Sequence, residues 1–166
     1  MTEKLIVTEH SETEEQTLEL GARLGRRILS LLDGSAPPEE QRAYDRFGDG
    51  TPFVAMYGEL GSGKTVFIRG MASVLAPGAD VHSPSYTIVN EYRGERIDLC
   101  HFDMYRIGGE DDLYSIGFYD YSGCVIAVEW SERIPYALPP FCYKVCFAPY
   151  SGDGRDIAVS VSTEQS

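Results

Sequence analysis

Eight consecutive residues, Gly58-Glu59-Leu60-Gly61-Ser62-Gly63-Lys64-Thr65, fit the pattern G-x-x-x-x-G-K-S/T in full. That spacing serves the holding of phosphate oxygens. Glycines let a backbone come close to an anion. The N–H groups that open a following helix lack internal partners, and the helix dipole adds positive character there. A lysine at the place of Lys64 reaches the β- and γ-phosphates, and a hydroxyl at the place of Thr65 suits Mg²⁺. Phosphoryl chemistry also needs acids, to hold the cation and to orient a nucleophile. Two apolar runs end on such acids: Ile97 to Phe102 leads into Asp103, and Cys124 to Val128 leads into Glu129.

Other residues near these runs read two ways. His101 shares the alternation face of Asp103 and is either a catalytic group or a structural partner. Arg106 reads as an ion-pair partner or a phosphate contact. Ser83-Pro84-Ser85-Tyr86-Thr87 suits a switch segment ordered by a γ-phosphate and Mg²⁺, and equally a plain turn. Trp130, directly after Glu129, reads first as core or interface packing and second as a nucleotide contact.

These groups need a scaffold of strand, glycine turn and helix in that order. Phe53 to Tyr57 is a short apolar run that suits a buried strand. Val66, Phe67, Met71, Val74 and Leu75 follow at close to helical spacing, closed by Pro77-Gly78. In open α/β sheets ligands bind at the carboxyl ends of the strands, where Asp103 and Glu129 stand. The expected class is α/β: a P-loop NTPase-like three-layer sandwich with a central mixed, largely parallel sheet and a late β-hairpin.

Along the rest of the chain, Lys4 to Thr8 alternates as an edge strand does. Ser11 to Glu15 offers N-caps and first-turn acids for a helix whose apolar face is Leu18, Leu20, Leu24, Ile28, Leu29, Leu31 and Leu32. Asp33 to Gly50 reads as a loop or insertion, with one helical turn over Glu39 to Phe47. Thr87 to Tyr92 and Arg96 to Phe102 are expected strands joined by Arg93-Gly94-Glu95. Glu110 to Ile116 is a short helix, and Cys124 to Val128 a strand. Tyr143 to Ala148 and Asp156 to Val161 form the late hairpin about Gly152-Asp153-Gly154. One domain is expected over 1–162, including the 33–50 insertion, with a frayed tail at 163–166.

The 166 residues suffice for a single sizeable core, and 43% hydrophobic content is ordinary for a soluble globular chain. No apolar run approaches the roughly 18 residues of a membrane span, and the start M-T-E-K-L-I-V lacks a signal-peptide pattern. A cytoplasmic location without membrane attachment is expected. Cys100, Cys124, Cys142 and Cys146 form no Cys-x-x-Cys pair and read as buried, reduced thiols. The formal net charge is −12, and the lysines are Lys4, Lys64 and Lys144. So acidic a chain is poorly suited to grip nucleic acid by itself, so any RNA would be held by a partner protein.

Taken together, Glu15 to Gly21, the loop Gly58 to Thr65, Ser83 to Val89, His101-Phe102-Asp103-Met104-Tyr105-Arg106 and Glu129-Trp130 resemble, in order and spacing, the bacterial TsaE (YjeE) ATPases. The resemblance spans Ser11 to Val161. It implies an Mg²⁺-dependent ATPase in the pathway that makes threonylcarbamoyladenosine in tRNA. Its partners would be TsaD and TsaB, with tRNA met only through them, and ATP hydrolysis would reset the complex. By the same resemblance Gly61, Ser62, Gly63, Lys64, Thr65 and Val66 wrap the ATP phosphates. Thr65 and Glu129 hold Mg²⁺, Asp103 stands at the γ-phosphate and positions water, and Thr87 is a switch-like threonine. Glu14 and Arg155 approach the nucleotide.

Three departures stand out. Val66 occupies a place where a second threonine is common, Ser85 replaces a common threonine, and the Asp33 to Gly50 connection is longer than usual. Two rival readings share the phosphate loop: a small-molecule kinase, in which Asp103 activates an acceptor hydroxyl, and a non-hydrolysing nucleotide switch. The absence of an N-K-x-D guanine-reading motif leans toward ATP over GTP.

Overall fold

The computed structural model describes residues 2–59, 62–148, 152 and 154–163. Its strands are β1 (Thr2–Ser11), β2 (Phe53–Tyr57), β3 (Val89–Tyr92), β4 (Leu99–Asp103), β5 (Val125–Glu129), β6 (Cys142–Ala148) and β7 (Arg155–Thr163). They form one sheet in the order β1-β7-β6-β2-β5-β4-β3. The middle strands β6, β2, β5 and β4 run parallel, whereas β3, β7 and β1 join antiparallel. The mixed sheet is as expected, and its parallel part is confined to those four strands. The late hairpin is β6 with β7, in register from Cys142 opposite Ser162 to Ala148 opposite Asp156. Asp153 of its expected turn lies outside the described residues.

Strand alternation divides the core in two. Val54, Met56, Leu99, Val125, Ala127, Tyr143 and Val145 face the helices α1 (Glu14–Asp33) and α3 (Lys64–Leu75). Phe53, Ala55, Cys100, Phe102, Ile126 and Val128 face the short helix α4 (Glu110–Ser115) and the 3₁₀ turn Phe118–Asp120. Three layers result. Because period two fixes the face, His101, Asp103 and Glu129 continue the side of Leu99 and Val125, which is the side that α3 covers.

Helix α1 begins with a reciprocal cap. The Gln16 N–H donates to the Thr13 hydroxyl at 3.2 Å, and the Thr13 N–H donates to the Gln16 side-chain oxygen at 3.2 Å. It ends at Gly34 in the left-handed region, φ 74°. Helix α3 is oriented by Phe67, Ile68 and Met71, each fully buried and each contributing about 1.5–3 kcal/mol.

The segment expected as a loop with one helical turn is instead a ten-residue helix, α2 (Pro38–Phe47). Pro38 opens it, Glu39 and Glu40 fill its first turn, and Gly48 follows its end. Its anchor is part apolar, with buried Tyr44 packed edge-on 5.4 Å from the Phe141 ring, and part polar. Buried Glu40 accepts from Arg27 Nε at 2.9 Å and Nη2 at 2.9 Å, and from the Tyr143 hydroxyl at 3.1 Å. The strands also shift from expectation: β1 extends to Ser11 because β7 pairs along its whole length, and Thr163, assigned to the frayed tail, ends β7. Cys146 is exposed, contrary to the buried reading of all four cysteines, whereas Cys100, Cys124 and Cys142 are buried. Among the described residues no helix is long and apolar enough to cross a membrane.

Candidate active site

The chain leaves β2 at Tyr57 and turns through Gly58, φ 150°, and Gly63, φ 98°, into α3. Both conformations belong to glycine. A Cβ on Gly58 would stand 2.9 Å from Phe147 Cβ and 3.0 Å from Ser62 Oγ, so the turn closes tightly. Gly61 lies outside the described residues. No acid occupies the first turn of α3, in contrast with Glu14 and Glu15 in that of α1. The α3 N-terminus therefore keeps its positive character for an incoming anion.

Lys64 is buried, and its ammonium donates to the Gly58 carbonyl while sitting 4.3 Å from the centroid of the Trp130 ring. Burial lowers its pKa, against the opposing pull of Glu129, Glu132 and Asp103. A phosphate brought against this ammonium would compensate the desolvation. The Ser62 hydroxyl is buried without a hydrogen-bond partner among the described residues. Such an orphan suits a ligand oxygen.

The two acids stand side by side, since β4 and β5 pair Asp103 with Glu129. Both are buried. Asp103 Oδ1 accepts the Tyr105 N–H at 2.9 Å, and Oδ2 lies 3.5 Å from the Ser85 hydroxyl. Its backbone is tied as well: the Asp103 N–H donates to Ile88 O at 2.8 Å, and the Met104 N–H to Glu129 O at 3.1 Å. Ile88, φ 72°, and Trp130, φ 60°, are non-glycine residues in the left-handed region. Strain of roughly 1–3 kcal/mol at each thus brackets the acid pair. Glu129 Oε2 is 2.5 Å from His101 Nε2, which resolves His101 as the partner of an acid.

A cavity of about 540 Å³ opens over the loop and these acids. Its lining includes the expected Glu14, Ser62, Gly63, Lys64, Thr65, Val66, Asp103, Glu129 and Arg155. The walls from α1 and the sheet edge meet because β1 pairs with β7, which sets Ser11 opposite Arg155. Ser11 Oγ lies 2.6 Å from Thr17 Oγ1, joining the end of β1 to the first turns of α1.

Thr87 is the exception. It is exposed, its hydroxyl donates to Asn90 Oδ1 at 2.9 Å, and it does not line the cavity. The Ile88 N–H closes back on Pro84 O at 2.8 Å, and this turn leaves Ser83 and Ser85, in place of Thr87, on the cavity wall. Arg106 is exposed and also outside the lining. Sequence reasoning undervalued Trp130, which lines the cavity, and missed Ser11 and Thr17. The direct succession of Trp130 on Glu129 was the available signal for the first. No local signal marks the other two.

The donors that converge here are a hydroxyl (Thr65) and carboxylates (Asp103, Glu129), the hard oxygens that Mg²⁺ takes in one or two protein ligands alongside phosphates. Among the described residues no three His, Cys, Asp or Glu side chains gather as a protein-only metal cage. The residues present fit a cation shared with phosphate oxygens.

A glycine loop closing the central parallel strand, with acids on the two strands beyond it, defines a P-loop NTPase-like α/β domain. Within that class the chain belongs to the TsaE family, for the family model "Threonylcarbamoyl adenosine biosynthesis protein TsaE" matches residues 11–157. It is 31% identical over 147 residues to a Nostoc sp. protein, covering 85% of this chain and 76% of that one. It is 32% identical over 124 residues to a Bacillus subtilis protein, covering 72% of this chain and 78% of that one. A Treponema pallidum protein is 32% identical over 109 residues, 64% of this chain and 80% of that one. All three bear the name tRNA threonylcarbamoyladenosine biosynthesis protein TsaE. The crystal structure of Bacillus subtilis YdiB superimposes with a TM-score of 0.66 at 24% identity, covering 98% of this chain and 88% of that one, and shares the fold.

Proposed function

We propose that this chain is an Mg²⁺-dependent ATPase serving the formation of threonylcarbamoyladenosine in tRNA, with TsaD- and TsaB-like proteins as partners. The observation that carries the hydrolytic part is the pairing of Asp103 with Glu129 on the face where the phosphate loop opens α3. Family membership supports the pathway. The acid-rich chain, net charge −12, meets tRNA only through its partners and resides in the cytoplasm.

The loop N–H groups from Gly61 to Val66 receive the phosphates, and Lys64 turns from the Gly58 carbonyl and the Trp130 ring toward them. Thr65 and Glu129 hold Mg²⁺, which when bound neutralises charge on the phosphate oxygens. Asp103, fixed by the Tyr105 N–H, orients the attacking water and receives its proton. Glu14 and Arg155 bound the nucleotide from the α1 and β7 side. Thr87 enters only if the 84–88 turn rearranges in the loaded state.

Phosphate release from Mg·ATP, alone and with both partner proteins, tests this reading. Low basal turnover stimulated by the partners is expected. Asp103→Asn should lose about 10²-fold or more in turnover while still binding ATP, and Lys64→Ala should lose binding. Normal turnover by Asp103→Asn would remove that residue from the water-orienting role. A phosphorylated metabolite in place of free phosphate would make the chain a kinase. Tight ATP binding with no turnover under any condition would make it a switch.

A further inference from the structure

The His101 side chain is fully buried at the centre of β4, yet its only hydrogen bond among the described residues runs to Glu129. The parallel register sets His101 opposite Ala127, so the ring reaches two residues forward along β5, on the same face, to the carboxylate that ends that strand. Nε2 lies 2.5 Å from Oε2, and both side chains are almost wholly excluded from solvent. A carboxylate only accepts, so Nε2 carries the proton and donates. The other ring nitrogen, Nδ1, is buried with no hydrogen-bond partner among the described residues. A histidine placed to satisfy the core would tie both nitrogens or yield to an apolar side chain, since an unpaired buried polar atom is costly. Here one nitrogen goes unsatisfied while the other clasps an acid of the cavity.

We infer that His101 is a positioning residue for Glu129: its Nε2–H fixes one carboxylate oxygen, so that the other is presented to a divalent cation shared with the phosphate loop. This rests on the functional reading above. A glutamate has three side-chain torsions, and an unanchored carboxylate must lose that freedom each time a cation binds. The hydrogen bond removes it beforehand, and carboxylates that hold metals are generally oriented by such outer hydrogen bonds. Asp103 Oδ1 is likewise held by the Tyr105 N–H at 2.9 Å, so both acids are oriented before any ligand arrives.

Two substitutions separate positioning from packing. His101→Leu removes the donor, and His101→Gln retains an N–H at similar reach. The measurement is the Mg²⁺ concentration for half-maximal tightening of ADP binding, by calorimetry, beside ADP affinity in EDTA. His101→Leu should raise the Mg²⁺ midpoint about 10–100-fold with the EDTA affinity unchanged, and His101→Gln should recover most of the loss. An unchanged midpoint in His101→Leu overturns the inference alone. So does equal weakening with and without Mg²⁺, which marks a packing residue. A wild-type protein whose nucleotide binding ignores Mg²⁺ overturns the functional reading and the inference with it. Should His101→Leu fail to fold, imidazole proton NMR of the wild type decides. A proton on Nε2 that persists when Mg·ADP is added supports the inference, and a proton on Nδ1 with a bare Nε2 overturns it.

Discussion

Gly21→Ala should do more damage than a methyl group on a helix normally does. Helices α1 and α3 approach so closely that a Cβ on Gly21 would stand 2.0 Å from the Phe67 carbonyl oxygen and 3.0 Å from Met71 N. Ordinary contact begins near 3.4 Å, so the helices would have to part by roughly 1.4 Å. The obstacle is backbone and cannot rotate away. Overpacking of this kind costs about 3 kcal/mol, offset by about 1 kcal/mol from alanine's helix propensity, for a net loss near 2 kcal/mol. Gly25→Ala is the control, since its Cβ would meet Val74 Cβ at 3.1 Å and Met71 O at 3.2 Å, distances that small shifts accommodate. Both variants gain the same propensity, so their difference isolates the clash. Urea unfolding followed by circular dichroism reads it. Phe67 lies in the first turn of α3, with its N–H on Gly63 O at 3.0 Å, so the displacement also reaches the phosphate loop. About 10²-fold in turnover is expected for a misplacement near 1 Å. If Gly21→Ala unfolds at the same urea concentration as Gly25→Ala, the close approach of the helices does not hold the loop in place.

Two further outcomes concern stability. Glu40→Ala strands the Arg27 guanidinium and the buried Tyr143 hydroxyl, and should cost about 3–5 kcal/mol; limited proteolysis should then cut within 38–47 before elsewhere. Burial, only partly opposed by Lys144, pushes the Cys142 thiol up from 9.0 to about 11. The folded state keeps that proton where the unfolded chain has released it. The contribution is therefore whole below pH 9 and lost as pH rises through about 11. Roughly 3 kcal/mol is at stake, and Cys142→Ala should flatten the fall of urea stability with pH across that window.

The phosphate loop and both acids were legible because each is a local signal: a spacing of glycines and lysine, and two apolar runs ending on a carboxylate. Period-two alternation even placed His101 beside Asp103. What escaped has a different physical origin. Helix α2 carries a proline start, first-turn acids and a glycine after its end, yet its polar composition hid it, because its buried face mixes Glu40 with Tyr44, and Ala43 and Phe47 only partly join them. Cys146 sits in the same strand as buried Cys142, and only the extent of the covering layers separates them. Thr87 misled because a hydroxyl in the right interval says nothing of the turn that aims it.

The cavity wall opposite the acids has the least local origin of all. Ser11 and Arg155 are 144 positions apart and become neighbours only through the β1–β7 ladder. That ladder exists because the chain's last strand returns antiparallel beside β6, leaving an edge for the first strand to cover. The ladder's end carries Ser11 to Thr17, and with it the start of α1, to the mouth of the phosphate loop. The first helix is then locked against α3 at Gly21 and Gly70, where a Cβ would come within 2.0 Å and 2.1 Å of the opposite backbone. One closure of the sheet edge thus sets both the packing that holds α3 and the wall that faces its N-terminus. A perturbation at the β1–β7 edge should therefore register at the phosphate loop before it registers at Asp103 or Glu129, which are held by the β4–β5 ladder and by Ile88, Tyr105 and His101, away from that edge.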